Sequence, residues 1–246
     1  MCGNNIAKIE ETVNKWFNET HKHFMERRAV SPFLLSVFLA AKKYILSSLL
    51  LVQHGYEMPT KALLRILAEL LIRFEWCMCV YEENRNKKQI EQRILRWWKT
   101  TLRYRIGELS KWQDVSNTSW QKEARDQKTK LENMYEEAKH DDVRLLPKSF
   151  AEFIRKEMPA DFKDDIYPRF YLRYNDAIHL DVASLRFLVR QREGRVEIQG
   201  DNPEEEKDFL EGIIFYAAII NGQIRKYYGW GTNHLYDERE RLLKGL

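Results

Sequence analysis

Glycine and proline are scarce, with 10 and 6 copies in 246 residues. So few breakers point to long regular elements joined by short connections. No glycine-rich phosphate loop, no G-x-S-x-G elbow, and no H-E-x-x-H or C-x-x-C pair occurs. Nucleotide-cradling, serine-hydrolase and common zinc chemistries therefore lack their usual signatures. His21 and His23 stand two apart, a spacing that suits surface residues better than a ligand pair. No metal and no cofactor is expected. Cysteine is also sparse: Cys2, Cys77 and Cys79. A Cys-x-Cys pair on a helix points its thiols to different sides, so neither a disulfide nor a zinc pair is favoured. That usage suits a reducing, cytoplasmic compartment. The opening residues are polar and amphipathic, unlike a secretory signal.

Long apolar runs are nearly missing as well. Phe33 to Val52 could pass for a membrane span, but Lys42 and Lys43 sit near its middle. Each would cost roughly 2.5–3.5 kcal/mol at a bilayer centre. A buried helix is the expectation, with no membrane partner. Charge of one sign is not in great excess either, 41 Lys and Arg against 37 Asp and Glu. A balance of +4 permits nucleic acid as a partner without demanding it.

What the chain does have is helical periodicity and 13% aromatic residues, enough for a substantial core. Ile6, Ile9, Val13, Trp16, Phe17 and Phe24 mark a first helix over residues 5–28. Ser31-Pro32 opens a second, stopped at Gly55, and Pro59 opens a third that runs to about Tyr81. A basic, aromatic fourth covers about 88–112. A polar fifth starts at the capping box Thr118-x-x-Gln121, and a short sixth at Ser149-x-x-Glu152. Pro168 opens a further helix reaching about Leu180. Residues 186–199 look like a small β-hairpin. Asn202-Pro203 starts the last long helix, which Gly229 ends. The expected architecture is all-α: one bundle of about six to eight helices over 1–246, with its core at about 5–228 and a C-terminal tail or short helix over 229–246.

Three polar constellations could carry chemistry. On the helix after Pro168, Tyr171, Asn175 and His179 fall four apart on one face, with Arg173 and Asp176 on neighbouring faces. An imidazole is the natural proton carrier near neutral pH, and a guanidinium can hold a phosphate and stabilise charge developing on it. Lys61, Arg65, Glu69 and Arg73 form a second line, each four apart within an apolar helix. It is either a salt-bridge ladder or the wall of a pocket shared with Tyr171, Asn175 and His179. The third is the fourth helix. From Arg85 to Lys111 nine Lys or Arg face two Glu, a local excess of +7. Arg93, Arg96, Lys99, Arg103 and Arg105 alternate with Trp97 and Trp98, cations for phosphates and rings for unstacked bases. The plain alternative is a bundle helix with its rings in the core and its cations in solvent.

The Arg65-x-x-x-Glu69 line followed by Tyr171-x-x-x-Asn175-x-x-x-His179 resembles an uncharacterised all-helical bacterial family, domain of unknown function five-six-seven-seven. That likeness spans roughly residues 30–228 and implies a fold with no assigned activity. Arg173-Tyr-Asn-Asp-Ala-Ile-His179 is similar to the HEPN ribonuclease signature, with Tyr174 where that superfamily favours a small polar residue. The resemblance implies a homodimer that cleaves RNA without metal, in bacterial defence or as a toxin. Arg173 would then bind the scissile phosphate and His179 would transfer protons. Two other readings stay open. One is a non-catalytic interaction or sensor module for a partner protein. The other is a pocket for a small anionic ligand held by Arg65, Arg73 and His179.

Overall fold

A computed structural model describes residues 2–27, 30–84, 87–111, 118–137, 150–157, 171, 189–192, 195–198 and 203–246. Among the described residues the chain is all-α, with eight helices: α1 (Cys2–Glu26), α2 (Pro32–Gln53), α3 (Glu57–Asn84), α4 (Lys87–Lys111), α5 (Thr118–Glu137), α6 (Phe150–Glu157), α7 (Pro203–Tyr228) and α8 (Asn233–Lys244). Two four-residue strands, β1 (Val189–Arg192) and β2 (Arg195–Ile198), pair antiparallel, with Val189 opposite Ile198. The helix expected from Pro168 to Leu180 lies outside the described residues, Tyr171 apart.

The chain divides into two compact units, Met1–Glu75 with Pro159–Leu246, and Trp76–Met158. The division falls inside α3. Periodicity marks which faces are apolar but not which partner each face meets, so it cannot locate such a boundary.

In the first unit α7 packs against α1, α2 and α8. A helix enclosed by three others needs apolar residues around most of its circumference. Ile213, Ile214, Ala217, Ala218, Ile220 and Ile224 supply them, all buried. The Cα of Gly222 faces the phenol of Tyr236 so closely that an added Cβ would lie 2.7 Å from its oxygen. That lets α8 approach α7 at this level.

The helix ends follow their sequence signals. Ser31, in extended backbone, accepts a hydrogen bond from the Leu34 amide, with Pro32 in the first turn. α2 stops at Gly55 (φ 69°) and α7 at Gly229 (φ 76°). In each case the residue after the glycine donates back five positions, Tyr56 to Leu51 and Trp230 to Arg225. This is the left-handed C-cap that only glycine adopts without strain.

By length and composition α2 could cross a membrane. It lies along α7 and α1 with Leu34, Phe38, Ala41, Ile45 and Leu49 buried. Lys42 donates to Asn18 on α1.

In the second unit α4 and α5 pair along their lengths. Trp76, at the C-terminal part of α3, meets Phe153 of α6 edge-on at 5.6 Å. Ile90, Leu102, Ala124 and Ile154 are buried in the same unit.

Candidate functional site

On α3 the spacing of four brings Arg65, Glu69 and Arg73 onto one stripe. Glu69 accepts from Arg65 at 3.3 Å through one carboxylate oxygen and from Arg73 at 3.1 and 3.3 Å through the other. Arg65 is only 7% exposed, so the ladder is anchored in the interior rather than along solvent. Its guanidinium carbon lies 3.1 Å from the centroid of the Tyr171 ring, a close cation–π stack. Among the described residues the buried Nε of Arg65 has no hydrogen-bond partner. A buried cation with one ion pair, one aromatic face and a spare donor favours negative charge nearby.

The contact between Arg65 and Tyr171 joins the α3 ladder to the start of the stretch that carries the other candidate residues. Arg173, Asn175, Asp176 and His179 themselves lie outside the described residues.

The basic helix α4 divides its candidate residues between two environments. Arg96 forms a two-pronged pair with Glu157 of α6, at 2.6 and 2.8 Å, and lies over the Trp76 ring. Arg93 donates to the Trp76 carbonyl and also faces its ring. Lys99 is buried. Arg93 and Arg96 thus tie α4 to Trp76 and α6 within the second unit. Trp97 is half-buried, whereas Trp98, Arg103 and Arg105 are exposed. A count of charges along the sequence had placed all seven on one surface. Tertiary packing separates them, because successive residues on a helix point about 100° apart.

Two polar clusters had no sequence motif to mark them. Arg225, 1% exposed, is the hub of the first. Its Nε donates to the Thr20 hydroxyl at 2.8 Å, and its Nη2 to the Trp16 carbonyl at 3.2 Å and the Glu19 carboxylate at 3.0 Å. Its Nη1 lies 3.0 Å from His234 Nε2, which is also 3.0 Å from Glu19. Burial works against the charge on Glu19, but hydrogen bonds from Arg225 and His234 outweigh it and hold the carboxyl below its ordinary value. Nearby, Glu238 accepts from Trp16 and Lys15, each at 2.6 Å. The hint was a lone arginine directly after the apolar run ending at Ile224.

The second cluster is Glu57, Lys61 and Glu205. Lys61 pairs with Glu57 one turn away and lies 2.9 Å from Glu205 of α7. Burial and a hydrogen bond with Glu57 lift the Glu205 carboxyl above its ordinary value of 4.5, although Lys61 pulls the other way. A carboxyl lifted in this way favours the fold while protonated, and that contribution is lost as pH rises through the folded value. Glu205→Gln keeps the neutral form at every pH. It is expected to stabilise the chain at pH 7 and to change little at pH 4, measured by urea unfolding at both. A clear loss of stability at pH 7 would show instead that the ion pair with Lys61 dominates.

Among the described residues no group of three or more His, Cys, Asp or Glu is placed to hold a metal ion. No curated protein and no solved structure gives a significant match to the chain. A family does match, over residues 33–196. That span takes in the Arg65 ladder, Tyr171, the basic helix and the Arg173-to-His179 stretch, and the chain belongs to this family of unknown function, DUF5677.

Proposed function

We propose that the chain is a metal-independent endoribonuclease of HEPN type, working in the cytoplasm as a homodimer in bacterial defence or as a toxin. What supports this reading is the Arg65–Tyr171 stack, a half-buried arginine–glutamate ladder in contact with the tyrosine that stands two residues before Arg173 in the sequence. In this mechanism the ribose 2′-hydroxyl attacks the adjacent phosphorus and the bond from phosphorus to the 5′-oxygen breaks. One proton leaves the 2′-oxygen and one reaches the departing 5′-oxygen, leaving a 2′,3′-cyclic phosphate and a 5′-hydroxyl. His179 moves a proton, and Arg173 neutralises the charge that builds on phosphorus. Asn175 and Asp176 orient these groups, and the Arg65–Glu69–Arg73 ladder holds Tyr171.

Removing a positioned general acid or base costs about 10²–10⁴-fold in rate. His179→Ala is therefore expected to lose RNA cleavage by that factor, and Arg173→Lys to fall sharply too, since a lysine cannot reproduce a planar two-pronged contact. Cleavage at the native rate by both variants would remove the proposal.

One observation favours a second reading, a non-catalytic interaction module that binds a partner protein or a small anion. Arg93, Arg96 and Lys99 spend their charge inside the second unit. The Arg65 ladder could be structural in the same way.

A further inference from the structure

Trp98 and Tyr104 on α4 are among the most exposed large rings of the described chain, at 42% and 43%. With 3.6 residues per turn, Trp98, Thr101, Tyr104, Arg105, Glu108 and Lys111 fall within an arc of about 140°. All but Glu108 and Thr101 are aromatic or basic. Glu108 is neutralised by Lys111 at 2.6 Å. Arg105 is exposed and makes no ion pair among the described residues. The arc is therefore net positive, with two rings about 9 Å apart along the helix axis.

An exposed tryptophan carries a cost in water that a stacked base would relieve, and an unpaired arginine beside it suits a phosphate. We infer that this arc of α4 is a binding surface for unpaired nucleic acid, with Trp98 and Tyr104 stacking bases and Arg105 contacting the backbone. The inference deepens the ribonuclease proposal, on which its biological use rests, by naming single strands as the substrate form. An acidic protein would pair with the arginine but make no use of the two ring faces, so the rings favour a nucleic acid.

The test uses the full-length His179→Ala chain, so that binding is read without turnover, and a fluorescent oligouridylate as probe. Trp98→Ala is expected to weaken binding roughly tenfold and Trp98→Ala with Tyr104→Ala roughly a hundredfold. Trp98→Phe should recover most of the loss. Arg105→Gln should reduce the slope of log affinity against log salt by about 0.7. All three positions are exposed, so thermal unfolding should be unchanged. Native affinity in the aromatic variants overturns the inference. So does equal binding of a matched RNA duplex, or of polyglutamate. The two proposals fail separately: retained cleavage by His179→Ala removes the catalytic one, and indifference of binding to the α4 substitutions removes this one.

Discussion

Replacing Arg225 with alanine is expected to lower stability by about 2–5 kcal/mol, the range for truncating a large buried side chain. Thermal unfolding should show it as a large drop, because each kcal/mol shifts the midpoint of a chain this size by about 2–4 °C. The reason lies in what the guanidinium satisfies. It serves the Thr20 hydroxyl and the Trp16 carbonyl on α1, the Glu19 carboxylate, and the imidazole of His234 on α8. Alanine takes a donor from the Thr20 hydroxyl and the Trp16 carbonyl, leaves Glu19 with His234 alone, and opens a cavity at the crossing of α1, α7 and α8. Arg225→Met fills most of that volume, so the difference between the two variants separates cavity from lost hydrogen bonds. A change under 1 kcal/mol for Arg225→Ala would mean that α1 and α8 repack without the hub.

The second large effect is expected at Trp76. Trp76→Ala should cost about 3–5 kcal/mol, as for other fully buried tryptophans. Its ring sits edge-on to Phe153 and receives the guanidinium groups of Arg93 and Arg96. Losing it removes an aromatic pair and two cation–π contacts, and leaves two cations without a face to rest on. The damage should concentrate in Trp76–Met158. Hydrogen exchange should therefore accelerate at α4 and α6 while amides at the centre of α7 keep their protection. Uniform loss of protection along the whole chain would show that the two units unfold as one.

Local chemistry made much of the fold readable in advance. Ser31-Pro32, Gly55 and Gly229 set helix boundaries because caps depend on a few neighbouring residues, and the bounds of α2 to α7 fall close to those signals. Side-chain partnership is a tertiary matter. Nothing near Arg225 in the sequence names Thr20 or Glu19, some two hundred residues away. The same limit explains α4. Its excess of charge was visible, but that Arg96 would turn to Glu157 while Arg105 stayed in solvent depended on where α6 packs. The Arg65–Glu69–Arg73 ladder was legible because i,i+4 geometry is local, and its burial was suggested by the apolar residues Leu64 and Leu67 around it. That Tyr171 would lie on Arg65 was a guess from shared polarity, and the stack now gives that guess a distance.

The most direct test is the chemistry of the cut ends. The purified chain, in the presence of EDTA, should cleave single-stranded RNA to fragments ending in 2′,3′-cyclic phosphate and beginning in 5′-hydroxyl, and His179→Ala should not. Fragments bearing 3′-hydroxyl and 5′-phosphate ends would contradict attack by the 2′-hydroxyl. So would cleavage that survives the loss of His179, or a native chain with no activity on any RNA.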